Sequence, residues 1–212
     1  MNPAATLSPD IMLRLRAETR PSHDATEALP FGTAMLANQL PQTAYIAQLQ
    51  SYVQVHDVLE SELRAQEHPT IKTVWSEDRA KLNLLQQDLE DLDVTTCSLS
   101  EPTRCATESM IEFIREIADT DPLCLLGVLY VLEGSTLGGQ ILRTHVSDMY
   151  ELVNDRGAAY YTAYGDQTGR YWKQFRSQMN ELIIDPDEKD RVVEAAISTF
   201  NHIKNILSTL HN

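Results

Sequence analysis

Helical spacing of apolar residues recurs along almost the whole of this 212-residue chain, and no segment alternates apolar and polar residues with period two. That absence removes half-buried strands from consideration and leaves helix-on-helix packing as the way to build a core. In QTAYIAQLQSYVQVHDVLESELRA, the residues Tyr45, Ile46, Leu49, Tyr52, Val53, Leu59 and Leu63 keep near-helical spacing and predict one long amphipathic helix. Residues 9–29 are helical in pattern, with Met12, Leu13 and Leu15 as apolar marks. Pro21 interrupts that segment, and Thr19 is placed to cap a fresh helix with Pro21 in its first turn. A shorter helix is expected over 78–92, and another over 102–118 with Met110, Ile111, Ile114 and Ile117 on one face.

The stretch NDRGAAYYTAYGDQTG reads as a loop, and two further helices follow it, the first over RYWKQFRSQMNELII. The second of those begins at Asp185, a cap with Pro186 at the first position and Glu188 three residues on. It runs to about Leu210 and is expected to bury Val192, Ala196, Phe200, Ile203 and Leu207. No repeat or linker divides the chain. One all-α domain over 1–212 is the economical reading, with residues 1–8 as a flexible N-terminus.

The net charge of −14 argues against nucleic-acid and anionic-membrane partners. Three cysteines (Cys97, Cys105 and Cys124) without metal-type spacing suit a reducing cytoplasm. MNPAATLSPD has neither the basic start nor the apolar core of a signal peptide. Residues 122–142 are apolar enough to suggest a membrane span, but Glu133, Ser135, Thr136 and Gln140 interrupt them, so a buried helix is the better reading. Cys124 lies in an apolar run, where burial raises a thiol's pKa and argues against a nucleophile.

That same run carries three glycines, Gly134, Gly138 and Gly139, each costing a helix roughly 1 kcal/mol against alanine. Close packing between helices is one explanation. The other is a flat ligand lying directly on the helix backbone, with Ser135, Thr136 and Gln140 as polar neighbours able to hold water. Two of the six histidines, His23 and His56, are followed one turn later by a glutamate, Glu27 and Glu60. A carboxylate there can accept the second N–H of a ligating imidazole, although such pairs are commonly plain surface contacts. A helix beginning at Thr19 would favour neutral imidazole at His23. Arg14, Arg16 and Arg20 gather just upstream of His23, and Lys173 and Arg176 form a second cationic pair suited to ligand carboxylates.

Together LRAETRPSHDATEAL, LYVLEGSTLGGQIL, KQFRSQMNEL and DPDEKDRVVEAAISTFNHI resemble the haem oxygenase family, of the bacterial biliverdin-producing type. The resemblance implies a single-domain bundle of about seven to eight helices. It implies His23 as the axial iron ligand and Glu27 as its hydrogen-bond partner. Arg16, Arg20 and Arg176 stand where the family places basic residues near the haem propionates, and Phe200 where it places an aromatic beside the pocket. Gly134, Gly138 and Gly139 match the glycines approaching the distal haem face, and Gly134, Ser135 and Gly138 would line the reacting side.

The implied activity is cleavage of haem, at once cofactor and substrate, to biliverdin, CO and Fe²⁺ with O₂ and electrons from an external reductase or ferredoxin. This chain departs from the family pattern at two positions. Ser135 stands where many members carry Asp, although other bacterial-looking members also read EGSxLG. Leu129, followed by Tyr130, stands where the family has a propionate-binding Tyr. The rival readings are a haem carrier or sensor without turnover, a di-iron bundle (for which His56, Glu60 and His145 are too few), and a plain helical scaffold.

Overall fold

The computed structural model describes residues 10–96 and 99–210; the expected flexible N-terminus at 1–8 lies outside them, as do Cys97 and His211. The described residues form helices and no strands. The helices are α1 (Ile11–Glu18), α2 (Arg20–Glu27), α3 (Pro30–Leu36), α4 (Gln42–Ala65), α5 (Pro69–Val74), α6 (Leu82–Asp91), α7 (Glu101–Thr120), α8 (Leu125–Met149), α9 (Ala159–Thr162), α10 (Thr168–Leu182) and α11 (Pro186–Ser208). More of them appear than the expected seven to eight because three short helices, α3, α5 and α9, add to those read from the sequence.

Local chemistry explains several of the boundaries. Ser100 accepts a hydrogen bond from the Thr103 backbone N–H and starts α7. Asp185 accepts from the N–H groups of Asp187 and Glu188 at 2.9 and 3.1 Å, with Pro186 in the first turn of α11. Thr19 behaves differently from expectation. Its hydroxyl donates backward to Leu15 O at 2.6 Å instead of capping α2, and its backbone is helical. The ladder therefore crosses the junction, from Thr19 N–H to Leu15 O and from His23 N–H to Thr19 O, so His23 gains little from a helix N-terminus.

α8 runs through the bundle, packed along α11, while α4 lies against α6 and α7. Tyr45, Leu49, Leu59, Ile114, Leu125, Leu126 and Phe175 are buried between them. Burying each such side chain contributes about 1.5–3 kcal/mol relative to exposure. The apolar stretch Pro122–Met149 is long and apolar enough to cross a membrane, yet 56 % of its most apolar window is buried inside the bundle. Gly127 lets α8 and α11 meet: a Cβ there would stand 2.4 Å from Val192 O.

The presumed loop at 154–169 contains a short helix, α9, whose Tyr160 and Tyr161 are buried. Tertiary bonds hold it. Asp88 accepts from the N–H groups of Ala159 and Tyr160 at 2.5 and 2.8 Å, and Tyr45 Oη donates to Gly157 O at 2.8 Å.

Candidate functional site

The three glycines of α8 divide between two roles. A Cβ on Gly138 would meet nothing within 4 Å, and one on Gly134 only the rim of Trp172 at 3.6 Å. These two are four residues apart and share a face. Exposed Leu137 (48 %) and Ile141 (63 %) lie beside them, so α8 turns an open apolar stripe outward. Gly139 does not belong to that face: a Cβ there would stand 2.4 Å from Tyr161 O. Its glycine is required by packing against α9, which corrects the expectation that it approaches a ligand.

His23 is half exposed at 47 %. Its Nδ1 lies 3.5 Å from Glu27 Oε2 and 3.6 Å from Asp24 Oδ1, so two carboxylates share the role expected of Glu27 alone. Both contacts are longer than a well-formed hydrogen bond. The imidazole meets Phe200 of α11 edge-on, with centroids 5.8 Å apart. Nδ1 is thus turned to the acids, which leaves Nε2 as the nitrogen available to a ligand.

Tyr130 of α8 reaches the α1–α2 junction, where its hydroxyl feels Thr19 and the charge of Arg16. Burial pushes the Tyr130 pKa up. Tyr130 also packs against Trp172 of α10 at 6.0 Å between centroids, and Trp172 meets Gly134. Arg176 is exposed one turn after Trp172. Phe200, Tyr130 and Trp172 therefore tie α2, α8, α10 and α11 into one site. Two arginines are otherwise engaged: Arg20 pairs with Asp24 along α2, and Arg14 pairs with Glu18 and Asp190.

On the open side of α8, Ser135 is exposed and donates to Leu132 O at 2.7 Å; buried Thr136 donates to Glu133 O at 2.7 Å. Beneath lies a charged cluster that sequence reasoning missed. Glu133, 2 % exposed, accepts from Arg79 Nη1 at 2.6 Å and from Tyr164 Oη at 2.8 Å. Lys81 Nζ donates to Tyr164 Oη at 2.7 Å and to Arg79 O at 2.8 Å. Burial pulls the Lys81 ammonium down to about 8 despite Glu133 and Glu60 nearby. In WSEDRAKL these two cations look like surface residues, and nothing local marks them as buried.

Three other described histidines have contacts of their own. His68 caps α5, His145 pairs with Asn38 at 2.7 Å, and His202 stacks on Phe113. Cys124 is buried and its thiol is pushed up to about 12, as its apolar context predicts.

A half-exposed imidazole, an open glycine face with apolar flanks and arginines at the rim fit a flat, apolar ligand carrying carboxylates. A family model described as "Heme oxygenase" matches residues 10–209. Heme oxygenase 1 of Nostoc sp. (strain PCC 7120 / SAG 25.82 / UTEX 2576) is 25 % identical over 197 residues, spanning 92 % of this chain and 83 % of that protein. Human heme oxygenase 1 is 25 % identical over 196 residues, spanning 90 % and 68 %. Among solved structures, heme oxygenase-1 of Synechocystis sp. PCC6803 in complex with heme superposes with a TM-score of 0.86 at 23 % identity, covering 95 % of this chain and 92 % of that one. Heme oxygenase from Leptospira interrogans gives 0.87 at 24 % identity, covering 95 % and 100 %. These two likenesses show the fold.

Proposed function

The chain belongs to the haem oxygenase family, and on that premise we propose that it cleaves haem to biliverdin, CO and Fe²⁺, using O₂ and electrons from an external reductase or ferredoxin. The observation that carries this reading is the unfilled face of α8 at Gly134 and Gly138, tied through Tyr130, Trp172 and Phe200 to the helix that bears His23. Bound haem supplies the iron that takes up O₂ and the ring that is oxidised.

The protein's own part is to bind, orient and exclude water. His23 Nε2 holds the iron, and the carboxylates of Glu27 and Asp24 keep the proton on Nδ1. The missing side chains at Gly134 and Gly138 let a planar ring lie against backbone, and Leu137 and Ile141 shield it from water. Arg16, Arg176 and the Tyr130 hydroxyl set the ring's rotation by holding its propionates, and Arg20 joins them only by exchanging its pairing with Asp24. Tyr130 takes the part that Leu129 cannot. Ser135 offers the one side-chain hydroxyl beside the glycines on the open side. The free thiols of Cys105 and Cys124 fit a reducing cytoplasm.

Ser135 also favours a second reading, a haem carrier or sensor, because a hydroxyl turned to Leu132 O is a weaker organiser of pocket water than a carboxylate. Haemin titration followed by reduction under O₂ separates the two. Haem cleavage requires a Soret band that His23→Ala removes or shifts, followed by biliverdin absorbance. A Soret band without biliverdin supports the carrier. No Soret band overturns both readings. His23, Asp24 and Glu27 could also bracket a bare cation, but that would leave the glycine face unexplained.

A further inference from the structure

One carboxylate oxygen on α2 stands between two donors. Asp24 Oδ1 lies 2.7 Å from Arg20 Nε and 3.6 Å from His23 Nδ1. Arg20 Nε also donates to the other oxygen, Oδ2, at 2.9 Å. The contacts with Arg20 are formed, charge-assisted bonds, whereas the one with His23 is too long to be a good bond. Glu27 Oε2 stands 3.5 Å from the same imidazole nitrogen. His23 Nδ1 therefore has two carboxylates beside it and a firm bond to neither.

Helix geometry accounts for this arrangement. Residues three and four apart are neighbours on a helix, so Arg20 sits beside both His23 and Asp24. His23 and Asp24 are consecutive, so their side chains diverge, and Oδ1 reaches Nδ1 closely only if the carboxylate swings toward the ring. Arg20 holds it back, toward the start of α2. The Arg20 and Asp24 side chains are 68 % and 50 % exposed, and an ion pair so open to water is weak. A ligand carboxylate beside an apolar ring is less screened by water, which makes it the stronger partner for the guanidinium.

We propose that Arg20 and Asp24 form an exchange pair linking the edge of the bound ring to its axial ligand; the proposal rests on the reading of a haem held by His23. A propionate draws the Arg20 guanidinium away, and the released Asp24 Oδ1 turns to accept from His23 Nδ1–H. Asp24 is then a positioning residue, acting through the imidazole without touching ring or iron. No covalent bond changes and the proton stays on Nδ1; only its acceptor is exchanged. A firmer acceptor on Nδ1 makes Nε2 the better electron donor. Glu27 is an acceptor present whether or not a carboxylate has bound, and Asp24 is the one that answers to it. The linkage is reciprocal, so the axial bond in turn favours Arg20 on the propionate.

The test uses Asp24→Asn and Arg20→Ala, both exposed positions, with haemin and with haemin dimethyl ester, whose propionates are blocked. In the reduced complexes, resonance Raman reads the iron–histidine stretch. Asp24→Asn should lower its frequency with haemin and leave it unchanged with the ester. In the haem-free protein, ¹⁵N NMR should show Arg20→Ala moving His23 toward the Nδ1–H tautomer by about threefold, as one gained hydrogen bond implies. Adding Asp24→Asn should erase that change. An Asp24→Asn shift equal with both porphyrins, no shift with either, or an Arg20→Ala effect that survives Asp24→Asn would overturn the exchange, and biliverdin formation by wild type would still stand. If the ester does not bind, the haem-free comparison decides. Failure of wild type to take up haemin through His23 would overturn both readings.

Discussion

The backbone of Gly139 stands against Tyr161 so closely that a Cβ would come within 2.4 Å of the Tyr161 carbonyl oxygen. Its neighbour Gly138 faces open space. The two adjacent glycines carry the same local cost in different surroundings: Gly139 meets a contact inside the fold, and Gly138 meets none.

Alanine at these two positions should therefore have opposite effects on the haem-free protein. Gly138→Ala should stabilise it by about 0.5–1 kcal/mol, the ordinary helix preference, while weakening haemin uptake. Gly139→Ala should destabilise it by about 1–3 kcal/mol because backbone must shift. Urea unfolding reads both, and shifts of the same sign would contradict the assignment.

Arg79 and Glu133 are each 2 % exposed at the side chain and 2.6 Å apart. Removing one partner of a buried pair typically costs about 3–5 kcal/mol, because a lone charge remains. Arg79→Met should show a loss of that order in denaturant unfolding. Adding Glu133→Gln should recover much of it, and a double variant less stable than Arg79→Met would count against the argument.

Lys81 provides a dependence on alkaline pH. Its ammonium sits at about 8 in the fold against an ordinary 10.5, so the unfolded chain binds more protons between those values. The contribution of Lys81 to stability is lowest below pH 8 and rises toward pH 10.5, by at most about 3 kcal/mol. Thermal unfolding of wild type minus Lys81→Met should climb across that window, and a flat difference would refute it.

Asp88 has the opposite sign at acidic pH. Burial raises its carboxyl to about 6, outweighing the two N–H groups that favour its charge. The fold then binds the extra proton between about 4 and 6, so this residue's contribution is present below that window and is lost as pH rises through it, on the order of 3 kcal/mol. The stability difference between wild type and Asp88→Asn should fall over the same range. A difference rising with pH would mean the N–H groups prevail.

What the sequence determined by itself was local. Helical spacing placed α4, α7, α8 and α11, and Asp185 with Pro186 started α11, because a helix bonds residues four apart and a cap bonds residues two or three apart. His23, Phe200 and the glycines could be singled out from short patterns and from resemblance. What the tertiary structure decided were contacts between distant segments. It turned the Thr19 hydroxyl back to Leu15, drew α9 out of an apparent loop by way of Asp88, and buried Arg79 and Lys81 against Glu133. It set Gly127 and Gly139 against carbonyls while leaving Gly134 and Gly138 open. A glycine or a lysine has the same local preferences wherever it stands. Its role depends on which surface lies within a few ångströms, and that is settled only when helices far apart in sequence pack together.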